Sequence, residues 1–241
     1  MVNISQPRHK LPTMYDLPSE EVGESGLPDQ YHPQQAELLC LTFQPSTYPA
    51  QQVWSAMDLN LYYDENHTER YKRPDWFGVV GVSPLYEERE LRMSYVMWQE
   101  QVNPFIVVEL LSPGTQKEDV GETAAKPGGI PTKWQVYEDI LQVPYYVVYD
   151  RRNTTFRAFS HQGKRYQELA ITENRLWLPE LELGLGLWQG RYKVCDRHWL
   201  RFYDSSGNWI PTPTEQVEQE RLRAERFRRL LLENGINPDE D

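Results

Sequence analysis

The sequence predicts an α/β fold with one main core, several β-hairpins after it and a helix at the C-terminus. Three observations predict it. FIVVELL (105–111) and YYVVYD (145–150) are near-continuous apolar runs, the pattern of strands buried on both faces. A helix start lies between them at Thr132-Lys-Trp-Gln135, where the Thr-x-x-Gln spacing forms a capping box. Strand, helix and strand in that order imply a right-handed parallel crossover.

The elements follow in order. Residues 1–34 read as an N-terminal arm, with prolines at 7, 12, 18, 28 and 33, an acidic cluster near Glu20 to Glu24 and no clear period. Residues 35–63 hold two short apolar segments, AELLCLTF and VWSAMDLNLYY, the second with strand character. WFGVVGV (76–82) reads as a strand ended by Ser83-Pro84. In LRMSYVMWQE the apolar residues at 91, 93, 95 and 97 alternate in the period-two manner of a strand. Asn103-Pro104 then turns the chain into FIVVELL. SPGTQKEDVGETAAKPGGIP is a long loop rich in Gly, Pro and small polar residues, of the kind usually kept for function or left disordered. The helix from Thr132 runs to about Gln142, with Lys133, Tyr137 and Ile140 on one stripe toward the sheet. TFRAFSH and KRYQELA form a hairpin about Gln162-Gly163, and NRLWL, LGLWQGRY and HWLRFYD continue as strands, with a turn at Ser206-Gly207-Asn208. Thr212-Pro213-Thr214-Glu215 is a second capping box, with Pro at the first helical position, and opens a Glu- and Arg-rich helix over about 213–234 that Gly235 and Pro238 stop. Its thin apolar stripe (Val217, Leu222, Phe227, Leu230, Leu231) suits either docking on its own domain or pairing with a partner, a second copy included. The organisation expected is an arm (1–34), a catalytic-type domain (35–211) and a charged helix and tail (212–241).

Composition narrows the function. No apolar run approaches the roughly 18 residues of a membrane span, and the N-terminus has no apolar stretch behind a basic start. Cys40 and Cys195 are the two cysteines and form no CxxC, which fits a cytoplasmic protein without a disulfide framework or zinc cluster. With 25 basic and 36 acidic residues the net charge is −11, so nucleic acid would be met through a local contact rather than the whole surface.

Three residues stand out as a catalytic set. Asp75 follows Pro74 at the mouth of a strand, Glu109 interrupts a buried apolar run, and Lys133 lies in the first turn of the crossover helix. A carboxylate inside a buried strand is costly to desolvate and normally has a partner or a metal. Asp75 and Glu109 would be hard oxygen ligands for Mg2+, with Mn2+ as a substitute, and Lys133 would orient water or stabilise charge on a phosphate. His67, His161 and His198 show no ligand spacing, Ser112 reads as a turn cap, and the tryptophans read as packing, with base stacking the other role for Trp76.

RPDWFGVVGV (73–82), NPFIVVELLSPGTQKED (103–119), KWQVYEDILQVPYYVVYD (133–150), LELGLGLWQG (181–190) and RLRAERFRRLLLENGINPDE near the C-terminus carry a further resemblance. Over about residues 70–240 the chain resembles the bacterial family described as "putative restriction endonuclease", once a domain of unknown function, within the PD-(D/E)XK nuclease superfamily. The resemblance implies a mixed sheet flanked by helices. It implies Asp75 as the PD aspartate, Glu109 as the acid of the ExLSP motif, and Lys133 paired with Tyr137 as the displaced lysine. The position two after Glu109 is Leu111, so the lysine has to come from elsewhere, and residues 120–132 look like an insertion. Lys117 and Lys126 are therefore rivals to Lys133, which is preferred for its capped helix and for Tyr137 four residues on. Asp119 matches a recurrent aspartate of the family and reads as a brace of the loop. The function implied is a Mg2+-dependent DNA endonuclease. The alternatives are an inactive nuclease fold serving as a binding or regulatory module through protein partners and, from the carboxylate pair alone, a glycosidase.

Overall fold

The computed structural model describes residues 29–112, 116–123 and 129–234. Its first element is α1 (Tyr31–Thr42). Asp29 starts it, accepting hydrogen bonds from the backbone N–H groups of Tyr31 (2.8 Å) and His32 (3.3 Å), two of the donors a helix start leaves without partners. Pro33 is harmless there, because its missing N–H lies in the first turn. The expected arm-to-domain boundary at 34 thus falls inside a helix, and AELLCLTF is largely its later turns. Residues 1–28 of the expected arm lie outside the described residues.

The strands follow as β1 (Val53–Met57), β2 (Leu61–Tyr62), β3 (Tyr71–Lys72), β4 (Trp76–Val80), β5 (Tyr95–Val96), β6 (Ile106–Leu110) and β7 (Tyr145–Asp150), then β8 (Thr155–Gln162), β9 (Arg165–Glu168), β10 (Arg175–Leu178), β11 (Leu183–Tyr192) and β12 (Cys195–Tyr203). The main sheet is mixed, in the order β1-β4-β6-β7-β8-β9. β6 and β7 are parallel and every other neighbouring pair is antiparallel. The two continuous apolar runs take the two central places, where both faces of a strand are covered. β10, β11 and β12 form a second, antiparallel sheet, and β3-β2-β5 a small third one. The chain is thus a mixed α/β fold with added hairpins, as expected.

Strand periodicity divides the core. Ile106, Val108, Leu110, Val147 and Tyr149 face a layer made by α1 and the β10–β12 sheet. Phe77, Val79, Val107, Tyr146 and Val148 face Val136, Tyr137 and Leu141. Glu109 shares the parity of Val107, and Asp75 that of Phe77, so both belong to the second side.

One expectation needs correction, and two open alternatives narrow. LRMSYVMWQE is a strand only at Tyr95–Val96, and α2 (Met97–Glu100) follows at once. Leu91 and Met93 are almost fully exposed; Arg92 sets the segment instead, paired with Glu100 and donating to the carbonyls of Ser83 and Pro84. Trp76 cannot stack on a base, because it is fully buried against Phe43 and Phe202. The C-terminal helix, numbered α5 (Pro213–Glu233) after two short helices described below, buries none of its residues against the described part of its domain. Its expected stops, Gly235 and Pro238, lie outside the described residues. Among the described residues no helix is long and apolar enough to cross a membrane.

Candidate active site

β4 and β6 pair only from Trp76↔Val108 to Gly78↔Ile106. Asp75 lies one residue before that ladder and Glu109 one residue beyond it, so the end of the ladder brings them side by side. The Asp75 backbone N–H donates to Glu109 Oε2 (3.4 Å). Its carboxylate turns back to accept from the Leu110 N–H (2.6 Å), a donor that lost its strand partner when β4 left the sheet. The approach to Asp75 is pinned by Asp58, whose N–H donates to the carbonyls of Pro74 and Asp75 (3.2 Å each) and whose carboxylate accepts from Arg73 (2.8 Å).

Lys133 comes from α4 (Lys133–Gln135), and its capping box is complete: Thr132 Oγ1 accepts from the Gln135 N–H (3.2 Å) and Gln135 Oε1 from the Thr132 N–H (3.0 Å). The box aims the first helical side chain at the sheet, where Lys133 Nζ donates to Glu109 Oε2 (3.0 Å) and Asp119 Oδ1 (2.9 Å). The helix then widens into a π-turn over Val136–Ile140, with the Leu141 N–H bonded to the Val136 carbonyl (2.8 Å). One extra residue per turn rotates the stripe, so Leu141 is buried and Ile140 is exposed, against the straight-helix expectation. Tyr137 keeps its place and donates to Glu109 Oε1 (2.9 Å).

Asp119 ends α3 (Gln116–Asp119) and is fully buried. The sequence suggests a loop brace; the structure puts its carboxylate on the Lys133 ammonium and its carbonyl on the Tyr146 hydroxyl (2.8 Å). Its neighbour Glu118 accepts from the Lys133 N–H (2.8 Å) and from Lys72 Nζ (3.1 Å). Apart from the family resemblance at Asp119, the signal for these residues is a run of charge, Lys117-Glu118-Asp119, in a segment otherwise rich in Gly, Pro and small residues. Of the rival lysines, Lys117 lies on α3 and Lys126 outside the described residues.

The site holds three acids against one ammonium with little water to screen them. Burial raises Asp75 well above the usual carboxylate range, and the facing Glu109 adds to it. Burial pushes Glu109 up to about 7, although the Lys133 ammonium pulls the other way. Burial also works against the charge on Lys133, but Asp119, Glu109 and Asp75 together raise it well above an ordinary lysine. Lys133 is thus a fixed cation, able to donate hydrogen bonds and unable to act as a base near neutral pH.

The acids fit a divalent cation. Their donors are hard oxygens in excess over the positive charge present. No group of three or more His, Cys, Asp or Glu among the described residues is disposed to hold a metal, and Asp119 is turned to Lys133. Magnesium does not need a third: it is typically bound through one or two carboxylates and retains several waters.

No curated protein matches the chain. Among solved structures it is similar to one described as a putative nuclease belonging to DUF820 from Anabaena variabilis, at 14% identity and a TM-score of 0.44, over 64% of this chain and 74% of that one. A family profile described as "Putative restriction endonuclease" matches residues 8–195, a span that holds Asp75, Glu109, Asp119 and Lys133, begins well before residue 70 and stops short of α5. The chain belongs to that family, Uma2.

Proposed function

We propose that the protein is a divalent-metal-dependent endonuclease that hydrolyses phosphodiester bonds in DNA. The observation that carries this reading is the Lys133 ammonium held between Glu109 and Asp119 with Asp75 alongside. Asp75 and Glu109 would hold Mg2+ or Mn2+. The chemistry such an ion supplies when bound is Lewis acidity, which offsets charge growing on the phosphate and makes water a better nucleophile. The remaining work falls to the chain. The Tyr137 hydroxyl and Lys133 hold the two oxygens of Glu109 in one orientation. Asp119 keeps Lys133 extended and charged, so the ammonium can donate to an oxygen of the transition state without first reorganising. The net charge of −11 argues for a local contact with DNA.

A second reading, a silent nuclease fold working through protein partners, draws on α5, which buries none of its residues. Supercoiled plasmid incubated with the purified protein and Mg2+ or Mn2+, beside Asp75→Asn, separates the two. Nicking by the wild type, at least 100-fold slower in the variant, is the expected result. A wild type inert with both metals, or a variant that cuts equally well, would overturn the nuclease reading.

A further inference from the structure

The end of β6 leaves a second backbone group without a strand partner. The Leu110 N–H and C=O both face the side that β4 has vacated. Asp75 takes the N–H (2.6 Å) and the His32 ring takes the carbonyl, with Nε2 3.3 Å from the oxygen. His32 is 1% exposed, and its Nδ1 lies 2.9 Å from Asp29 Oδ1. Asp29 is itself fixed by the first N–H groups of α1 and by the Arg151 guanidinium, which follows β7. A continuous chain of contacts therefore runs from Arg151 through Asp29 and His32 to Leu110, and from Leu110 to the Asp75 carboxylate. It crosses the sheet from the α1 side to the side that holds Glu109 and Lys133.

From this geometry we infer that His32 is a positioning residue of the active site: it holds Leu110 so that the Leu110 N–H aims the Asp75 carboxylate beside Glu109. His32 touches none of the acids itself and acts through the backbone. The sequence showed no such role, because His32 stands 43 positions before Asp75 and 77 before Glu109, with no ligand spacing to either. Groups that orient metal ligands typically cost 10- to 100-fold in metal affinity or activity when removed.

The inference rests on the nuclease reading for its consequence but not for its geometry, and the test separates the two. His32→Phe fills the space without a donor, and His32→Gln restores a donor near the position of Nε2. Two quantities are read on the folded proteins: Mn2+ affinity by calorimetry, and amide hydrogen exchange at Leu110 against Val107 in the middle of β6. In His32→Phe, Leu110 exchange is expected to quicken about 10-fold with Val107 unchanged, Mn2+ affinity to weaken about 10-fold or more, and His32→Gln to recover most of both. If the wild type binds no Mn2+ yet Leu110 responds as stated, the metal reading fails and the positioning role stands. If Leu110 exchange in His32→Phe matches the wild type, or His32→Gln is no better than His32→Phe, the positioning role is overturned.

Discussion

α4 and α5 begin in the same way and end in opposite environments. Both open with a Thr N-cap in extended backbone (φ −67°), and both complete the reciprocal capping box, with Gln135 in one and Glu215 in the other. From there they part. α4 keeps α-helical form for three residues, widens into a π-turn and buries Val136 and Tyr137 against the sheet, with Lys133 among carboxylates. α5 runs regularly for 21 residues and buries none of them. Its first turn is tied to the fold through Arg201 of β12, which pairs with Glu215 and donates to the Ile210 carbonyl. A capping box contributes about 1 kcal/mol and decides where a helix starts. The surface it meets decides whether it stays regular, since burying one large side chain contributes about 1.5–3 kcal/mol and can offset a strained turn.

The comparison predicts a large contrast on substitution. Lys133→Met leaves three acids without their cation, and should cost about 3–5 kcal/mol near pH 8, where carboxylate charge is hardest to lose, and roughly 10²- to 10³-fold in cleavage rate. Phe227→Ala in α5 should stay within about 0.5 kcal/mol and leave cleavage unchanged. Urea melts and plasmid nicking read both. Equal losses from the two would mean that α5 is packed in solution.

A smaller effect concerns pH. Folding raises Glu109 from its ordinary 4.5 to about 7, so the folded state holds that proton more tightly than the unfolded chain does. This contribution to stability is complete below about 4.5 and is lost as the pH rises through 7. Metal-free wild type should therefore lose melting temperature relative to Glu109→Gln between pH 5.5 and 8, and Mn2+ affinity should rise over the same interval because the ion displaces the proton. A difference between the two proteins that does not change with pH would place the proton elsewhere.

The smallest effect separates the caps. Thr132→Ala should cost about 1 kcal/mol of global stability, because α4 is part of the core. Thr212→Ala should fray α5, seen as lost helicity by circular dichroism, with the melting temperature of the domain unmoved. Equal shifts in melting temperature would contradict the view that α5 is energetically separate.

Much of the fold was legible because its signals are local. The apolar runs at 105–111 and 145–150 became the two central strands, and both Thr-x-x-Gln/Glu boxes formed where they stand in the sequence. The alternation at 91–97 misled because Leu91 and Met93 meet no second surface, whereas Arg92 has Glu100 and two carbonyls. Ile140 misled because one π-turn shifted the phase of the helix. Asp75, Glu109 and Lys133 were readable as an expensive acid within a strand, an acid after a proline and a lysine in a capped first turn, and the structure brings the three together. The role of Asp119, marked only by the family resemblance, and that of His32 were not, since neither sits in a periodic pattern, and each takes its meaning from a group on another element, Lys133 or Leu110.

The sequence by itself determined where strands and capped helices begin, because backbone donors, turn residues and apolar period act over a few residues. It also marked Glu109 as a residue needing a partner, because burial of a charge is costly wherever it occurs. Only the tertiary structure decided which partners arrive: the short β4–β6 ladder ending beside Asp75 and Glu109, α3 bringing Asp119 to Lys133, and α1 bringing His32 to the carbonyl beside Glu109. Those contacts depend on strand order and on the phase of helices laid across the sheet, and pairing between elements far apart in the chain leaves no spacing in the sequence to read.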